Sequence, residues 1–287
     1  MVPSEQNISF SKHCTLRVGP VIGRLFLPET VEHVQFLVRD QVSPYWIGNG
    51  SNLLPLSSLV GATVVKLGKN ISQYRFDGTR LWAQAGAMMP HLMKDACARG
   101  LSGLEMVAGV PTTLGGGLVM NFGAYGMELK DVVHSVTVVD EQGAAQKLSN
   151  ADCVFAYRNS IFQSKPWKIV ECELELKIQT PAAVQKRIDE HLACRKIVTP
   201  PFPNAGSAFK NPPGLITGKI NDELGLRGFR IGNAGIWEGH GNYLINHGGA
   251  TSEECLAVIE HVEQKVLAER GIRLVREIRV LEPLLDL

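Results

Sequence analysis

The chain has 287 residues, 45% of them hydrophobic and 20% charged, the balance of a folded globular protein with room for one large domain or two to three small ones. Its 29 Lys plus Arg nearly cancel its 28 Asp plus Glu, which argues against a nucleic-acid or membrane-surface protein and leaves any anionic ligand to be met by local groups. No apolar run reaches membrane-span length, the polar start MVPSEQNISFSKHC lacks a signal-peptide core, and the scattered cysteines and histidines read as reduced thiols and no metal site in a cytoplasmic protein.

In chain order, Val31, Val34, Leu37 and Val38 behind Pro28 predict a helix over 29–42. Tyr45–Ile47 predicts a short strand running into a turn, Gly48-Asn49-Gly50-Ser51-Asn52-Leu53. A Rossmann fingerprint fails there, because the third glycine is missing and Pro55 and Ser57 follow where a helix should begin. Gly214–Lys219 likewise misses the P-loop spacing, with Pro213 in place of the first glycine. The turn at 48–52 exposes N–H groups that can hold a phosphate; a plain turn accounts for it equally well. Strands are predicted over 64–67 and 81–85, and a helix over 89–99 stopped by Gly100.

The stretch Gly103–Gly126 holds seven glycines, no lysine or arginine, and one acid, Glu105. Gly115, Gly116 and Gly117 would each cost about 0.5–1 kcal/mol against alanine inside a helix. They therefore predict a loop whose bare N–H groups nest an anion, with a helix starting near Leu118. A flexible surface loop is the competing reading. The apolar residues threaded through the stretch, such as Leu104, Met106, Leu114 and Leu118, favour a buried loop pressed on a ligand.

Further on, 135–139 predicts a strand followed by a turn at 140–143. Arg158 stands among aromatic residues in FAYRNSIF, which predicts partial burial beside an anion rather than a surface charge. Ile169–Ile178 alternates, with Val170, Cys172, Leu174, Leu176 and Ile178 on a dry face and Glu171, Glu173, Glu175 and Lys177 on a wet one. A domain boundary is placed near Thr180. Pro181 then opens a helix with Val184, Ile188 and Leu192 inward, ended by the prolines at 200, 201 and 203. Ser207 in NAGSAFKNPPG reads on composition alone as a turn serine. Thr251–Glu254 is a capping box opening a long helix that Gly271 ends. The segment 272–281 predicts a last strand, on which Glu277 is by position as readily an exposed acid as a tuned carboxylate.

Five stretches now stand in the order and rough spacing of one family: IGNGSNLL, GLSGLEMVAGVPTTLGGGLVMNFGAYG, FAYRNSIF, NAGSAFKNP and GIRLVREIRV. Over nearly its whole length the chain resembles the UDP-N-acetylenolpyruvoylglucosamine reductase (MurB) family, in the type that lacks an inserted substrate loop. The resemblance implies an α+β fold. A vanillyl-alcohol-oxidase/PCMH-type FAD-binding half, 1–180, would consist of two subdomains at about 1–66 and 67–180. A smaller C-terminal α+β substrate domain, 181–287, would follow, with its last strand returning to the FAD half.

The resemblance also implies non-covalent FAD, NADPH as hydride donor and a UDP-sugar substrate. The protein would be a cytoplasmic monomer in peptidoglycan precursor synthesis, partnered by neither nucleic acid nor membrane. Positions matching the family's cofactor contacts are Gly48, Asn49, Gly50, Ser51, Asn52, Leu53, Gly109, Pro111, Thr112, Gly115, Gly116, Asn121, Gly123, Ala124 and Tyr125. Arg158, Ser207 and Glu277 match its catalytic residues, and Asn211 and His240 its substrate contacts; a structural role for His240 stays equally open. Thr112 stands where the family usually has glycine, Gly117 where it has alanine or serine, and Gly235, Trp237 and Gly241 depart from its pattern around His240. Another flavin oxidoreductase on the same fold, or a nucleotide-sugar binding protein without turnover, are the rival readings.

Overall fold

The computed structural model describes residues 1–283 and divides into two compact units that interleave in sequence. The first comprises Met1–Glu5, Leu25–Asn49 and Thr63–Arg195; the second comprises Gln6–Arg24, Gly50–Ala62 and the chain from Lys196 on. Both mix helices with mainly antiparallel strands. No helix among the described residues is long and apolar enough to cross a membrane.

The first unit is built on a five-stranded antiparallel sheet, in the order Ala145–Ser149, Val133–Val139, Lys168–Glu175, Arg80–Gln84, Tyr74–Asp77. The predicted alternation holds for Cys172 and Leu174, which are buried against Leu81, Val136 and Leu118. Two departures follow from pairing. A bulge opposite Thr137–Val138 skips Val170, so Ile169 and Val170 are both buried, in different clusters. At Leu176 the strand leaves the sheet, and Lys177–Ile178 pairs with Leu101–Ser102 instead. Ile178, expected on the dry face, is 77% exposed as a result.

Helix α1, Val31–Arg39, is capped by Thr30, whose hydroxyl accepts the His33 N–H at 3.2 Å. It packs Val34 and Val38 on Ile71, Val139 and Val170. Beside it the parallel pair Tyr45–Ile47 and Thr63–Lys66 delivers the chain to Gly48. Helix α2, Met89–Ala98, buries Met89, Leu92 and Ala96 in the main core. Helix α3 spans Leu114–Val119 and helix α4 spans Pro181–Val198. α4 buries Val184 and Ile188 against Cys97 and Ala108. Leu192, the expected third inward position, is 42% exposed because it faces Gly109, which has no side chain to cover it.

The second unit carries a four-stranded antiparallel sheet, in the order Asn204–Ser207, Tyr243–Asn246, Ala234–Ile236, Arg230–Ile231. Helix α5, Thr217–Glu223, and helix α6, Ser252–Arg270, complete it. The capping box forms as predicted between Thr251 and Glu254, and Gly271 closes α6 at φ 66°. Cys255, Val258, Ile259, Val262 and Val266 form its buried stripe, packed with Ala205, Phe209, Ile236 and Leu244. Each fully buried aliphatic side chain contributes about 1.5–3 kcal/mol. The predicted last strand is broken. The N–H groups of Glu277 and Ile278 both donate to the Ala208 carbonyl, at 2.8 and 3.2 Å, and only Arg279–Leu281 remains a strand, parallel to Leu53–Pro55.

Candidate active site

The glycine-rich stretch of the first unit overturns one expectation. Gly115–Gly117 lie inside α3, not in a loop ahead of a helix at Leu118. The first four N–H groups of α3 are all satisfied within the protein. Leu114 donates to Ala87 and Gly115 to Ala85, both at 2.8 Å; Gly116 donates to the Thr113 hydroxyl at 3.3 Å and Gly117 to the Thr113 carbonyl at 2.9 Å. Close packing is what requires glycine here. A Cβ on Gly115 would sit 3.0 Å from the Ala85 Cβ, and one on Gly117 2.9 Å from Leu129 Cδ1. These amides therefore do not nest an anion.

The turn at 48–52 has the opposite character. It is where the chain passes from the first unit to the second. Among the described residues no acceptor meets the N–H groups of Asn49, Gly50, Ser51 or Asn52. Asn49 Nδ2 donates to the Pro111 carbonyl at 2.7 Å, tying this turn to Gly109–Thr112. A row of unpaired amides suits a diphosphate, so the residues present fit the cofactor that the motifs imply.

Five described non-glycine residues of the first unit take left-handed backbone conformations: Gln41 (φ 46°), in the turn after α1, and Asn121 (φ 40°), Tyr125 (φ 55°), Val154 (φ 46°) and Arg158 (φ 52°). Such strain costs on the order of 1–3 kcal/mol per residue and persists only where the surroundings enforce it. Asn121 is fully buried and does the enforcing. Its Nδ2 donates to Glu128 and to the Ala156 carbonyl, and its Oδ1 accepts from the Lys130 N–H, each at 3.0 Å. Both amide donors of this expected cofactor contact are thus committed inside the protein. Arg158, half-buried, donates from Nη2 to the Gly123 carbonyl at 2.7 Å and lies 5.2 Å from the Tyr157 ring. Gln163 fixes its backbone by donating to the Arg158 carbonyl at 3.1 Å and to the Val119 carbonyl at 2.9 Å. The Thr112 hydroxyl, buried, donates to the Thr113 carbonyl at 3.1 Å.

Sequence reasoning assigned no role to Glu105. Its side chain is fully buried and accepts from the Gly103 N–H at 2.7 Å, the Ser102 hydroxyl at 2.8 Å, and Arg187 of α4 at 2.7 and 3.0 Å. Burial pushes the carboxyl up, but the Gly103, Arg187 and Ser102 donors together outweigh it and hold it below the usual carboxylate range. Arg187 lies 82 residues away, so nothing near Glu105 in the chain signals the pair. Tyr125 stacks on His191 of α4, with ring centroids 4.0 Å apart, and its hydroxyl donates to the His191 carbonyl at 3.1 Å.

The second unit brings Ser207, Glu277 and Asn52 together. Ser207 ends a strand opposite Tyr243, and its half-buried hydroxyl has no partner among the described residues. The next residue, Ala208, donates to the Asn242 carbonyl at 2.8 Å and accepts the Glu277 N–H at 2.8 Å. Asn52 Nδ2 donates to the Glu277 carbonyl at 2.9 Å, and the Arg279 N–H donates to the Asn52 carbonyl at 3.0 Å. Asn242, buried and not anticipated, clamps Phe209 through both its side-chain atoms, at 2.8 and 3.0 Å. Asn211 Oδ1 accepts the Thr217 N–H at 3.0 Å and so holds the start of α5. His240 Nδ1 accepts the Asn242 N–H at 3.1 Å, which leaves the proton of the neutral ring on Nε2. Burial first, and Arg227 second, push its pKa down and favour that neutral form. Leu53 pairs with Arg279. No cluster of three or more His, Cys, Asp or Glu that could hold a metal is found among the described residues.

Comparison with known proteins agrees along the chain. A family model described as "UDP-N-acetylenolpyruvoylglucosamine reductase, C-terminal domain" matches residues 199–281, and one described as "FAD binding domain" matches 23–149. The UDP-N-acetylenolpyruvoylglucosamine reductase of Heliobacterium modesticaldum is 37% identical, over 96% of this chain and 90% of its own. That of Clostridioides difficile is 38% identical, over 94% and 90%. The crystal structure of UDP-N-acetylenolpyruvylglucosamine reductase (MurB) from Thermus caldophilus matches with a TM-score of 0.85 and 33% identity, covering 99% of both chains.

Proposed function

The chain belongs to the UDP-N-acetylenolpyruvoylglucosamine reductase family, and we infer from that membership that it reduces UDP-N-acetylglucosamine enolpyruvate to UDP-N-acetylmuramate at the expense of NADPH. It is an FAD-dependent oxidoreductase. We place the reaction in the cytoplasm, in peptidoglycan precursor synthesis, with the chain acting as a monomer on small molecules; the free cysteines support that compartment.

Bound FAD supplies the relay of hydride from NADPH to the terminal carbon of the enolpyruvyl double bond. The unpaired amides of 49–52 would hold its diphosphate, with Gly48, Leu53, Gly109, Pro111, Gly123 and Ala124 giving backbone close approach. Arg158 would hold the substrate carboxylate. A permanently charged planar fork binds that group more strongly as negative charge builds on it. Glu277 would donate a hydrogen bond from its protonated carboxyl to the same group. Ser207 would deliver the proton from Oγ to the carbon next to the carboxylate.

The observation that carries this chemistry is the Ser207 hydroxyl. It has no hydrogen-bond partner among the described residues, yet its backbone neighbour is locked on both sides by Asn242 and Glu277. A side chain held in place and uncommitted is what a proton donor to a bound substrate requires. The test is anaerobic. The yellow protein should bleach with NADPH and recover its colour with the enolpyruvyl substrate. Ser207→Ala should keep the bleaching and slow the recovery about 10²–10⁴-fold. Recovery at the wild-type rate would remove Ser207 from the mechanism.

A further inference from the structure

Arg195 lies in the last turn of α4, where sequence reasoning assigned it nothing. Its Nη2 donates to the Met106 carbonyl at 3.4 Å, and its Cζ stands 5.6 Å from the Tyr125 ring centroid. Its Cδ lies 3.1 Å from the point a Cβ on Gly109 would occupy. One guanidinium thus touches three residues of the glycine-rich stretch, all within the first unit. Its Nε is sealed from solvent and has no acceptor among the described residues. A guanidinium stays charged at every accessible pH, and with its inner Nε closed to water and to any ligand oxygen, an anion would have to be met by the terminal nitrogens of this half-buried side chain.

The charge balance of the stretch points the same way. Gly103–Gly126 contains no lysine or arginine, and the first four amides of α3 are consumed inside the protein. A diphosphate beside Gly109–Thr112 would need a cation from elsewhere. Arg187 also reaches the stretch, but its charge is matched by Glu105. Arg158 reaches it at Gly123, and its proposed partner is the substrate carboxylate. Arg195 has no carboxylate partner among the described residues; it lies against the Met106 carbonyl, Gly109 and Tyr125.

We propose that Arg195 is a phosphate-binding residue for FAD, donating from its guanidinium to a diphosphate oxygen held beside the Gly109–Thr112 turn. This rests on the reading of the site as an FAD site. Tyr125, stacked on His191, holds its ring 5.6 Å from the Arg195 Cζ and so flanks the guanidinium.

The experiment titrates the flavin-free full-length chain with FAD by fluorescence quenching, and displaces FAD with ADP or riboflavin. Wild type, Arg195→Met and Arg195→Lys are compared at several salt concentrations. In Arg195→Met the dissociation constants of FAD and ADP should both rise roughly 10–100-fold, the worth of a charge-assisted hydrogen bond. The salt dependence of FAD binding should flatten. Riboflavin, which carries no phosphate, should bind as in wild type. Arg195→Lys, which keeps the charge and loses the fork, should fall between; it carries the test if Arg195→Met does not fold. An FAD affinity within twofold of wild type in both variants overturns the proposal, whatever happens to NADPH. So does a parallel loss of FAD and riboflavin, which would mark Arg195 as packing for the loop. A wild-type chain that takes up no FAD would instead sink the cofactor reading beneath it.

Discussion

Arg187→Met should reveal what the buried Glu105 carboxylate costs when its cation is removed. Arg187 supplies two of the four hydrogen bonds to that carboxylate, and its Nη2 also lies 3.0 Å from the Ser102 hydroxyl. Glu105 is 0% exposed, so water cannot replace the lost donors. Breaking a buried ion pair from one side costs about 3–5 kcal/mol. At about 2–4 °C per kcal/mol, the melting temperature should fall by roughly 6–20 °C. The pH dependence supplies a second and sharper check. In the wild type the folded pKa of Glu105 is depressed, so its stabilisation is complete above the unfolded pKa and disappears as pH falls through the folded one. Without Arg187, burial is opposed only by the Gly103 and Glu105 backbone N–H groups and the Ser102 hydroxyl, so the folded pKa rises above its wild-type position. The variant should then lose less stability than the wild type on acidification. The gap between wild type and variant narrows as pH falls through the range between their two folded pKa values. Adding Glu105→Gln to Arg187→Met should restore part of the loss at neutral pH, because the amide carries no charge to leave unmatched. Circular-dichroism melts at a series of pH values read all of this. A gap that stays constant with pH, or a loss under about 1 kcal/mol, would refute the reasoning.

Gly117→Ala adds a Cβ 2.9 Å from Cδ1 of Leu129, itself fully buried, and the overpacking of about 1–3 kcal/mol outweighs the roughly 1 kcal/mol that alanine gains in a helix; a melt above wild type would show that Leu129 has room to move. Arg158→Lys keeps the charge and loses the planar fork, so recovery of colour with the enolpyruvyl substrate should slow about 10²–10³-fold while bleaching by NADPH is unchanged; stopped-flow absorbance separates the two, and equal slowing of both would place Arg158 outside the substrate half.

What was legible in the chain was local. The capping box of α6 and the Tyr45–Ile47 strand are decided by residues close together in the chain, and they form where the pattern put them, while the helix expected over 29–42 forms as Val31–Arg39 behind a Thr30 cap. The errors arise where a distant partner outweighs the local pattern. Gly115–Gly117 look like a helix breaker, yet they form α3 because Ala85 and Leu129 approach too closely for any side chain, and Thr113 caps the result. Ile178 continues the alternation of its strand, yet it is exposed because Leu101–Ser102 replaces the sheet as its partner. The boundary placed near Thr180 is a single cut, whereas the compact units interleave: residues 6–24 and 50–62 group with the last third of the chain.

The same distinction separates the chemistry from its support. Ser207 and Glu277, the proposed proton donor and enol-stabilising acid, each sit in a short motif that can be matched without any knowledge of space. Their approach comes from one carbonyl. Ala208 accepts both the Glu277 and the Ile278 N–H, which interrupts the last strand where its regular ladder would otherwise have run on, and Arg279 then turns to Asn52. An unbroken strand over 272–281 would have kept to one partner. The interruption lets the segment take up two, so that Glu277 is held between the Ser207 strand and the turn whose amides remain unpaired. No periodicity in GIRLVREIRV encodes that switch, because it is decided by which carbonyl is within reach. A strand irregularity that looks like a defect in the fold is what ties Glu277 both to Ala208, next to Ser207, and to Asn52.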